Sequence, residues 1–175
     1  MGYGNPLRGD DGVGQEVAQV LWRQKGRQPL LSGAAITWAH QLTPEMALDL
    51  SRAGFAVFVD AACDLGPAGS VTVRLVAPPV PDASHAHGIR ASCWEDLGPE
   101  GLLALALELY GSVPPAALVT VGVSVTEFGD GLSPLVQAAV PRAAAAVRLA
   151  IAAGMGAHPA RRPRAESGRG RGHNA

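Results

Sequence analysis

Two mainly apolar runs constrain the fold of this chain more than any other feature. Residues 55–60 read FAVFVD, a continuous apolar run closed by an acid, without the alternation of polar residues that a half-exposed strand shows, and residues 117–125 read ALVTVGVSV, which we interpret as another buried strand. Continuous hydrophobicity is typical of strands that are covered on both faces, as in the centre of a parallel sheet. The sequence therefore predicts a sheet with helices on both of its sides.

The remaining patterns alternate between helix and strand along the chain. Three-to-four-residue spacing of apolar side chains, with Pro, Thr, Ser and Gly at the ends, marks the helices, and β-branched runs mark the strands. Such alternation favours an α/β fold, here a three-layer sandwich with a mostly parallel twisted sheet. The predicted helices cover 12–25, 43–52, 99–111 and the residues from 133 onward, kinked at Pro141, and the further strands cover 34–39 and 70–76.

The N-terminal glycine loop implies a strand that the sequence does not display. Residues 2–14 read GYGNPLRGDDGVG and lead directly into the first predicted helix. A glycine loop that opens a helix usually follows a strand, yet only Met1 precedes Gly2. We therefore expect the first strand of the sheet to be missing.

Composition narrows the class of protein. The chain has 175 residues, 47% of them hydrophobic and only 5% aromatic, which predicts one domain over 1–155 with a core of Ala, Val and Leu. Residues 156–175 are rich in Gly, Pro and Arg and are predicted to be a disordered basic tail. With two cysteines, no signal peptide and no long apolar run, we expect a cytoplasmic protein, with no membrane and no nucleic acid partner.

Paired carboxylates near one predicted sheet edge form the candidate site. Asp11 lies in the glycine loop and Asp60 ends the run FAVFVD. Ligands of parallel sheets bind beyond the carboxyl ends of the strands, so these acids should converge. Carboxylates combined with imidazole suit divalent ions such as nickel, zinc, manganese or iron, and the candidate imidazoles are His40, His85 and His87. The alternative is structural: Asp10 caps the first helix and Asp60 bonds a turn.

Other chemistries find less support in the sequence. Gly2 and Gly4 begin a dinucleotide-binding pattern, but Leu7 stands where its third glycine is required, and two acids at the helix start would repel a phosphate. The patterns of serine hydrolases and zinc proteases do not occur. Cys63 is interpreted as a packed apolar residue rather than a nucleophile.

Taken together, these segments resemble the hydrogenase maturation endopeptidase family. The resemblance covers about residues 2–150 and is most specific where GYGNPLRGDDGVG is combined with VFVDAA. The further matching segments are HQLTPEMALDL, LLALALELYG followed by ALVTVGV, and EFGDGLSP.

The resemblance implies a metal-dependent processing endopeptidase, a hydrolase. Such enzymes remove the C-terminal extension of a nickel–iron hydrogenase large-subunit precursor after nickel insertion. The nickel, delivered in the substrate, is bound by two acids and a histidine, and the acids match Asp11 and Asp60, which would also be the catalytic pair. The histidine position reads CWEDL here, so His85, His87 or Glu95 stays open as the third ligand. Water would attack the scissile carbonyl, with Asp10 as a candidate base.

Two alternatives remain at this stage. The first is a non-catalytic metal- or substrate-binding relative with an impaired third ligand, and the second is a small nucleotide-binding α/β domain. In each case we expect a monomer. Another divalent ion could take the place of nickel at the same acids.

Overall fold

A computed structural model describes residues 1–64, 66–78, 97–124, 127–129 and 131–157. Its centre is a five-stranded sheet with the strand order β2-β1-β3-β5-β4. The strands are β1 (Gly2–Tyr3), β2 (Trp38–Ala39), β3 (Ala56–Ala62), β4 (Val71–Val76) and β5 (Ala116–Gly122), and the α-helices are α1 (Val13–Gln24), α2 (Met46–Arg52), α3 (Pro99–Tyr110) and α4 (Pro134–Ala157).

The sheet is parallel except at one edge. Strand β1 pairs in parallel with both β2 and β3, and β3 pairs in parallel with β5 over seven residues, from Ala56 opposite Ala116 to Ala62 opposite Gly122. Strand β4 runs antiparallel to β5 and forms the edge. The predicted mostly parallel sheet is therefore confirmed, and so is the interpretation of residues 70–76 as an outer antiparallel strand.

Helices cover both faces of the sheet, which confirms the three-layer sandwich. Successive residues of β3 serve opposite layers: Phe58 packs with α2 and α3, whereas Val59 packs with α1 and α4. This explains why the run FAVFVD shows no polar alternation. The buried core consists almost entirely of Ala, Val and Leu, as the low aromatic content predicted.

The expectation of a missing first strand is wrong. A short strand, Gly2–Tyr3, precedes the glycine loop and lies between β2 and β3. Met1 extends the pairing, because its carbonyl accepts a hydrogen bond from the Val59 amide at 2.9 Å. Two residues are too few for a hydrophobic pattern, so periodicity could not reveal this strand.

Four elements differ from the boundaries predicted from the sequence. Strand β3 continues to Ala62 instead of ending at Asp60. Strand β2 has only two residues instead of 34–39. Helix α2 begins at Met46, because Pro44 belongs to the turn before it and its carbonyl accepts from the Ala47 amide. Strand β5 ends at Gly122, where the chain reaches the carboxyl edge of the sheet. By contrast α1 and α3 match their predictions, and Gly111 ends α3 in a left-handed conformation with φ of 64°.

Helix α4 is long and apolar enough, over Pro134–Gly154, to pass a length-and-composition test for a membrane span. It nevertheless contributes a stripe of buried residues to the core beside α1, which is typical of a core helix. Pro141 lies inside this helix, on its exposed side. The buried stripe consists of Val136, Ala139, Val140, Ala143, Ala144 and Val147.

Several predicted features lie outside the described residues. These are the candidate ligands His85, His87 and Glu95, together with Cys93 and the basic tail from residue 158 onward. The division into one domain over 1–155 and a tail over 156–175 stays a prediction.

Candidate active site

The glycine loop is held against the sheet by close backbone contacts. Gly4 has φ of 129°, and a Cβ atom there would lie 2.0 Å from the Asp11 carbonyl oxygen. A Cβ atom on Gly14 would lie 2.2 Å from the carbonyl oxygen of Tyr3 and 2.5 Å from that of Val59. Only glycine permits this close approach of α1 to β1 and β3, so the glycines fix how the loop connects the strand to the helix.

A buried glutamine fastens the same loop from inside. The Gln15 side chain is 7% exposed, and its Nε2 donates to the Gly4 carbonyl at 2.6 Å and to the Ala39 carbonyl at 3.1 Å. These carbonyls follow β1 and end β2, respectively. Gln15 therefore ties α1 to the carboxyl edge of the sheet, where the loop turns toward Asp11.

Asp11 lies half-buried in the turn of 3-10 helix Gly9–Gly12 that precedes α1. Its Oδ2 accepts a hydrogen bond from the backbone amide of Asn5 at 2.7 Å. The loop thus folds back on itself around this carboxylate and fixes its position. One oxygen carries the loop contact, and lone pairs remain for a further ligand.

Asp60 lies on β3, near the carboxyl edge, with its carboxylate held on both sides. The Tyr3 hydroxyl donates to Oδ2 at 2.5 Å, and the Ala61 amide donates to Oδ1 at 2.8 Å. Burial raises the pKa of the Asp60 carboxyl, the two hydrogen bonds oppose the rise, and the charge of Asp11 adds to it. Asp60 is therefore a partly desolvated carboxylate that another carboxylate influences directly.

The structure brings Asp11 and Asp60 to the same edge of the sheet. Tyr3 contacts Asp60 through its side chain, and its neighbour Gly4 lies against Asp11, with a built Cβ 3.7 Å from the Asp11 Cγ. The charge of Asp11 is the weaker of the two causes that raise the pKa of Asp60, in keeping with both carboxylates lying at this edge. Carboxylate oxygens from two segments at one edge are suitable ligands for a divalent cation.

Asp10 belongs to the framework and not to the edge. It is 0% exposed, and its two oxygens accept from the Ser133 amide at 2.6 Å and from the Ser133 hydroxyl at 2.9 Å. Ser133 directly precedes α4, so Asp10 caps the start of that helix and not of α1. The candidate role of Asp10 as a base is wrong, because a carboxylate that is fully buried and accepts two hydrogen bonds from Ser133 cannot reach a substrate.

The loop before α4 reinforces this connection. The Gly9 amide donates to the Gly129 carbonyl at 3.2 Å, and the Gly129 amide donates to the Leu7 carbonyl at 3.1 Å. Segments 7–9 and 127–129 therefore run side by side. The matching segments GYGNPLRGDDGVG and EFGDGLSP are thus one structural unit, although more than 100 residues separate them.

The described residues bring two acids, Asp11 and Asp60, to this edge and no third candidate ligand. Among them, no cluster of three or more His, Cys, Asp or Glu side chains could hold a metal ion. His40 contributes its carbonyl, which accepts from the Gly4 amide at 3.2 Å, but it does not complete such a cluster. Cys63 is exposed, so its interpretation as a packed core residue is wrong.

Three contributing residues, Tyr3, Gln15 and Ser133, escaped the sequence analysis of the site; they hold the loop and the acids. Thr120 lies opposite Asp60 in the neighbouring strand, but its buried hydroxyl has no hydrogen-bond partner among the described residues, so it holds neither acid. The tyrosine in the glycine loop was a visible signal. Its partner, however, depends on strand pairing that no local pattern encodes.

Comparison with known proteins finds the same architecture in solved structures. The hydrogenase maturating endopeptidase HybD from Escherichia coli aligns with 83% of this chain and 86% of its own, at 20% identity and a TM-score of 0.58. The [NiFe] hydrogenase maturation protease HycI from Thermococcus kodakarensis aligns with 86% and 89%, at 21% identity and a TM-score of 0.60. An Escherichia coli endopeptidase aligns with 88% of each chain, at 22% identity and a TM-score of 0.61.

No protein-family model matches the sequence, and no curated protein sequence matches it. The class that the structure defines is a three-layer α/β protein with two acids at the carboxyl edge of its sheet. More particularly, the chain has the fold of the hydrogenase maturation endopeptidases.

Proposed function

We propose that this protein is an endopeptidase that removes the C-terminal extension of a nickel–iron hydrogenase large-subunit precursor. The observation that carries the proposal is the convergence of Asp11 and Asp60, from a loop and a central strand, at one sheet edge. Fold similarity to proteins named as hydrogenase maturation proteases over more than four fifths of the chain supports it. The reaction would take place in the cytoplasm.

The two acids would recognise the nickel that the precursor carries. Asp11 and Asp60 keep lone pairs on their carboxylates beyond the hydrogen bonds that orient them. His85, His87 or Glu95 would complete the ligand set; a histidine suits nickel, whereas Glu95 would favour a harder divalent ion. Recognition through nickel would make cleavage conditional on metal insertion.

Hydrolysis would follow from this placement. A water oxygen adds to the scissile carbonyl carbon, the peptide C–N bond breaks, and the water protons end on the new carboxyl group and the leaving amine. The substrate's nickel would act as the Lewis acid that stabilises charge on the carbonyl oxygen. Asp11 and Asp60 would act as the catalytic pair by holding that nickel beside the scissile carbonyl, oriented by the hydrogen bonds that fix their carboxylates.

Cleavage of a nickel-loaded precursor, followed by intact-mass spectrometry, tests the function. We expect the wild-type chain to shorten the precursor and D11N and D60N each to lower the rate by at least about 100-fold, since each variant removes a charge from the cation site. D49N, which makes the same change on the exposed face of α2, serves as the matched control and should cleave normally.

The outcomes separate the competing functions. Absence of cleavage by the wild-type chain, combined with binding of the precursor that D11N and D60N abolish, would identify a non-catalytic relative. Full activity of both variants would remove the proposed site.

A further inference from the structure

We propose that Tyr3 is the positioning residue for Asp60, fixing the orientation of its carboxylate at the sheet edge that also carries Asp11. The inference deepens the proposed function and rests on it, because that function gives Asp60 its role as a ligand of the substrate's metal. It assigns a purpose to the one aromatic side chain in the glycine loop.

Strand pairing places Tyr3 beside Asp60. Gly2 lies opposite Val59 in the parallel pair β1–β3, so the next residues, Tyr3 and Asp60, are neighbours on the same face of the sheet. The result is a hydrogen bond of 2.5 Å between residues 57 positions apart. A phenol donating to an ionised carboxylate makes one of the stronger hydrogen bonds in proteins.

Two donors from two strands leave the Asp60 carboxylate little freedom. The Ala61 amide holds Oδ1 and the Tyr3 hydroxyl holds Oδ2, so rotation about the terminal torsion breaks at least one hydrogen bond. Each carboxylate oxygen still has capacity for a further contact. The two donors thus orient the carboxylate and leave lone pairs for a metal ion, as the hydrogen-bond partners of metal-binding carboxylates commonly do.

Tyr3 is itself well held. Its backbone pairs with Ala39 of β2, and its ring packs against the apolar cluster under α2 and α3. The packed ring and the paired backbone together keep the hydroxyl within hydrogen-bond distance of Asp60.

Thr120 provides a natural comparison on the other side of Asp60. It lies directly opposite Asp60 in the β3–β5 pairing, is 3% exposed, and has a hydroxyl with no hydrogen-bond partner among the described residues. Tyr3 and Thr120 are therefore the hydroxyl-bearing neighbours of Asp60 on the two adjacent strands, and only the Tyr3 hydroxyl bonds to its carboxylate. Removing either hydroxyl leaves a side chain of nearly the same shape.

The test compares Y3F with T120V in the full chain. Carboxyl 13C NMR with labelled aspartate, with the Asp60 resonance assigned from its loss in D60N, reports the environment of that group without any substrate. We expect the carboxyl 13C chemical shift of Asp60 to change in Y3F and to remain the same in T120V. With nickel-loaded precursor, kcat/KM should fall about 10- to 100-fold in Y3F and remain unchanged in T120V.

An Asp60 resonance that is unmoved in Y3F, or that moves equally in T120V, would overturn the role of Tyr3. Wild-type cleavage by Y3F would overturn it too, while leaving the endopeptidase function intact. If the wild-type chain cleaves nothing, the proposed function fails and the NMR comparison still decides whether Tyr3 positions Asp60. Should Y3F not fold, replacing tyrosine by 3-fluorotyrosine keeps the contact and must still shift the Asp60 resonance.

Discussion

Asp60 is held partly out of water, and this burial of a carboxylate costs the folded state free energy. The first cause of its raised pKa is burial, and Asp11 adds to it. The hydrogen bonds from Tyr3 and Ala61 reduce the cost without removing it. Carboxylates arranged in this way are retained at sites where they act on a ligand, at the expense of stability.

A pH dependence follows from the direction of this shift. Because the folded-state pKa of Asp60 lies above the unfolded value of about 3.9, the native state binds the proton more tightly. The contribution to stability is therefore complete below the unfolded pKa and is lost as the pH rises through the folded pKa. The D60N variant has no ionisable group at this position. The free energy of unfolding of D60N, relative to that of wild type, should therefore increase as the pH rises through this range.

Urea unfolding of wild type and D60N at a series of pH values measures this difference. D49N changes an exposed aspartate of α2 and should show a smaller dependence. A D60N difference that is constant with pH, or that shrinks as the pH rises, would contradict the assignment of Asp60 as a desolvated acid. Other charged groups among the described residues also influence Asp60 and its hydrogen-bond donor Tyr3. Asp11 acts electrostatically on Asp60, and Glu100 and Arg74 act on Tyr3.

At the scale of elements, the start of α4 is tied to the glycine loop by one carboxylate. Asp10 is fully buried, and Ser133 is its partner at both oxygens. The negative charge also lies at the positive end of the helix dipole. The loop that carries Asp11 is therefore fastened to the longest helix of the protein.

D10A should lower the free energy of unfolding by about 1–3 kcal/mol, because it leaves the Ser133 amide unpaired. S133A removes only the hydroxyl contact and should cost less. Urea unfolding of both single variants and of the double variant forms a double-mutant cycle. We expect the double variant to lose less free energy of unfolding than the sum of the two single losses. Additive losses would mean that the two residues stabilise the fold independently.

Elements with a local signal were predictable from the sequence, and elements defined by their partners were not. Strands β3 and β5 have continuous apolar runs, and α3 begins at a proline and ends at a glycine. Strands β1 and β2 have two residues each and exist because they pair with neighbours. Thr43 and Pro44 look like a helix start, but here they form the turn that precedes it.

The candidate site divides in the same way. Asp11 and Asp60 could be named from sequence, because the glycine loop and the end of a buried strand both map to the carboxyl edge of a parallel sheet. Asp10 was assigned to the wrong helix, since its partner Ser133 lies 123 residues away. Tyr3 was missed for a similar reason, as only the pairing of β1 with β3 brings it to Asp60.

At the scale of the whole molecule, the N-terminal segment connects all parts of the site. Residues 2–15 contribute a strand, the loop with Asp11, the tie from Asp10 to α4 and the glutamine that holds the loop. The sheet supplies Asp60 from its centre. The architecture shared with the maturation endopeptidases therefore concentrates the chemistry at one edge, and the segment that carries His85, His87 and Glu95 joins β4 to α3.

Anomalous diffraction at the nickel absorption edge decides whether Asp11 and Asp60 share one cation, as the proposed function requires. Crystals of the full chain exposed to Ni²⁺ should show one anomalous peak within bonding distance of both carboxylates, and crystals of D60N should lack it. A nickel peak bound by only one of the two aspartates, or a peak that persists unchanged in D60N, would show that the two carboxylates do not form one cation site.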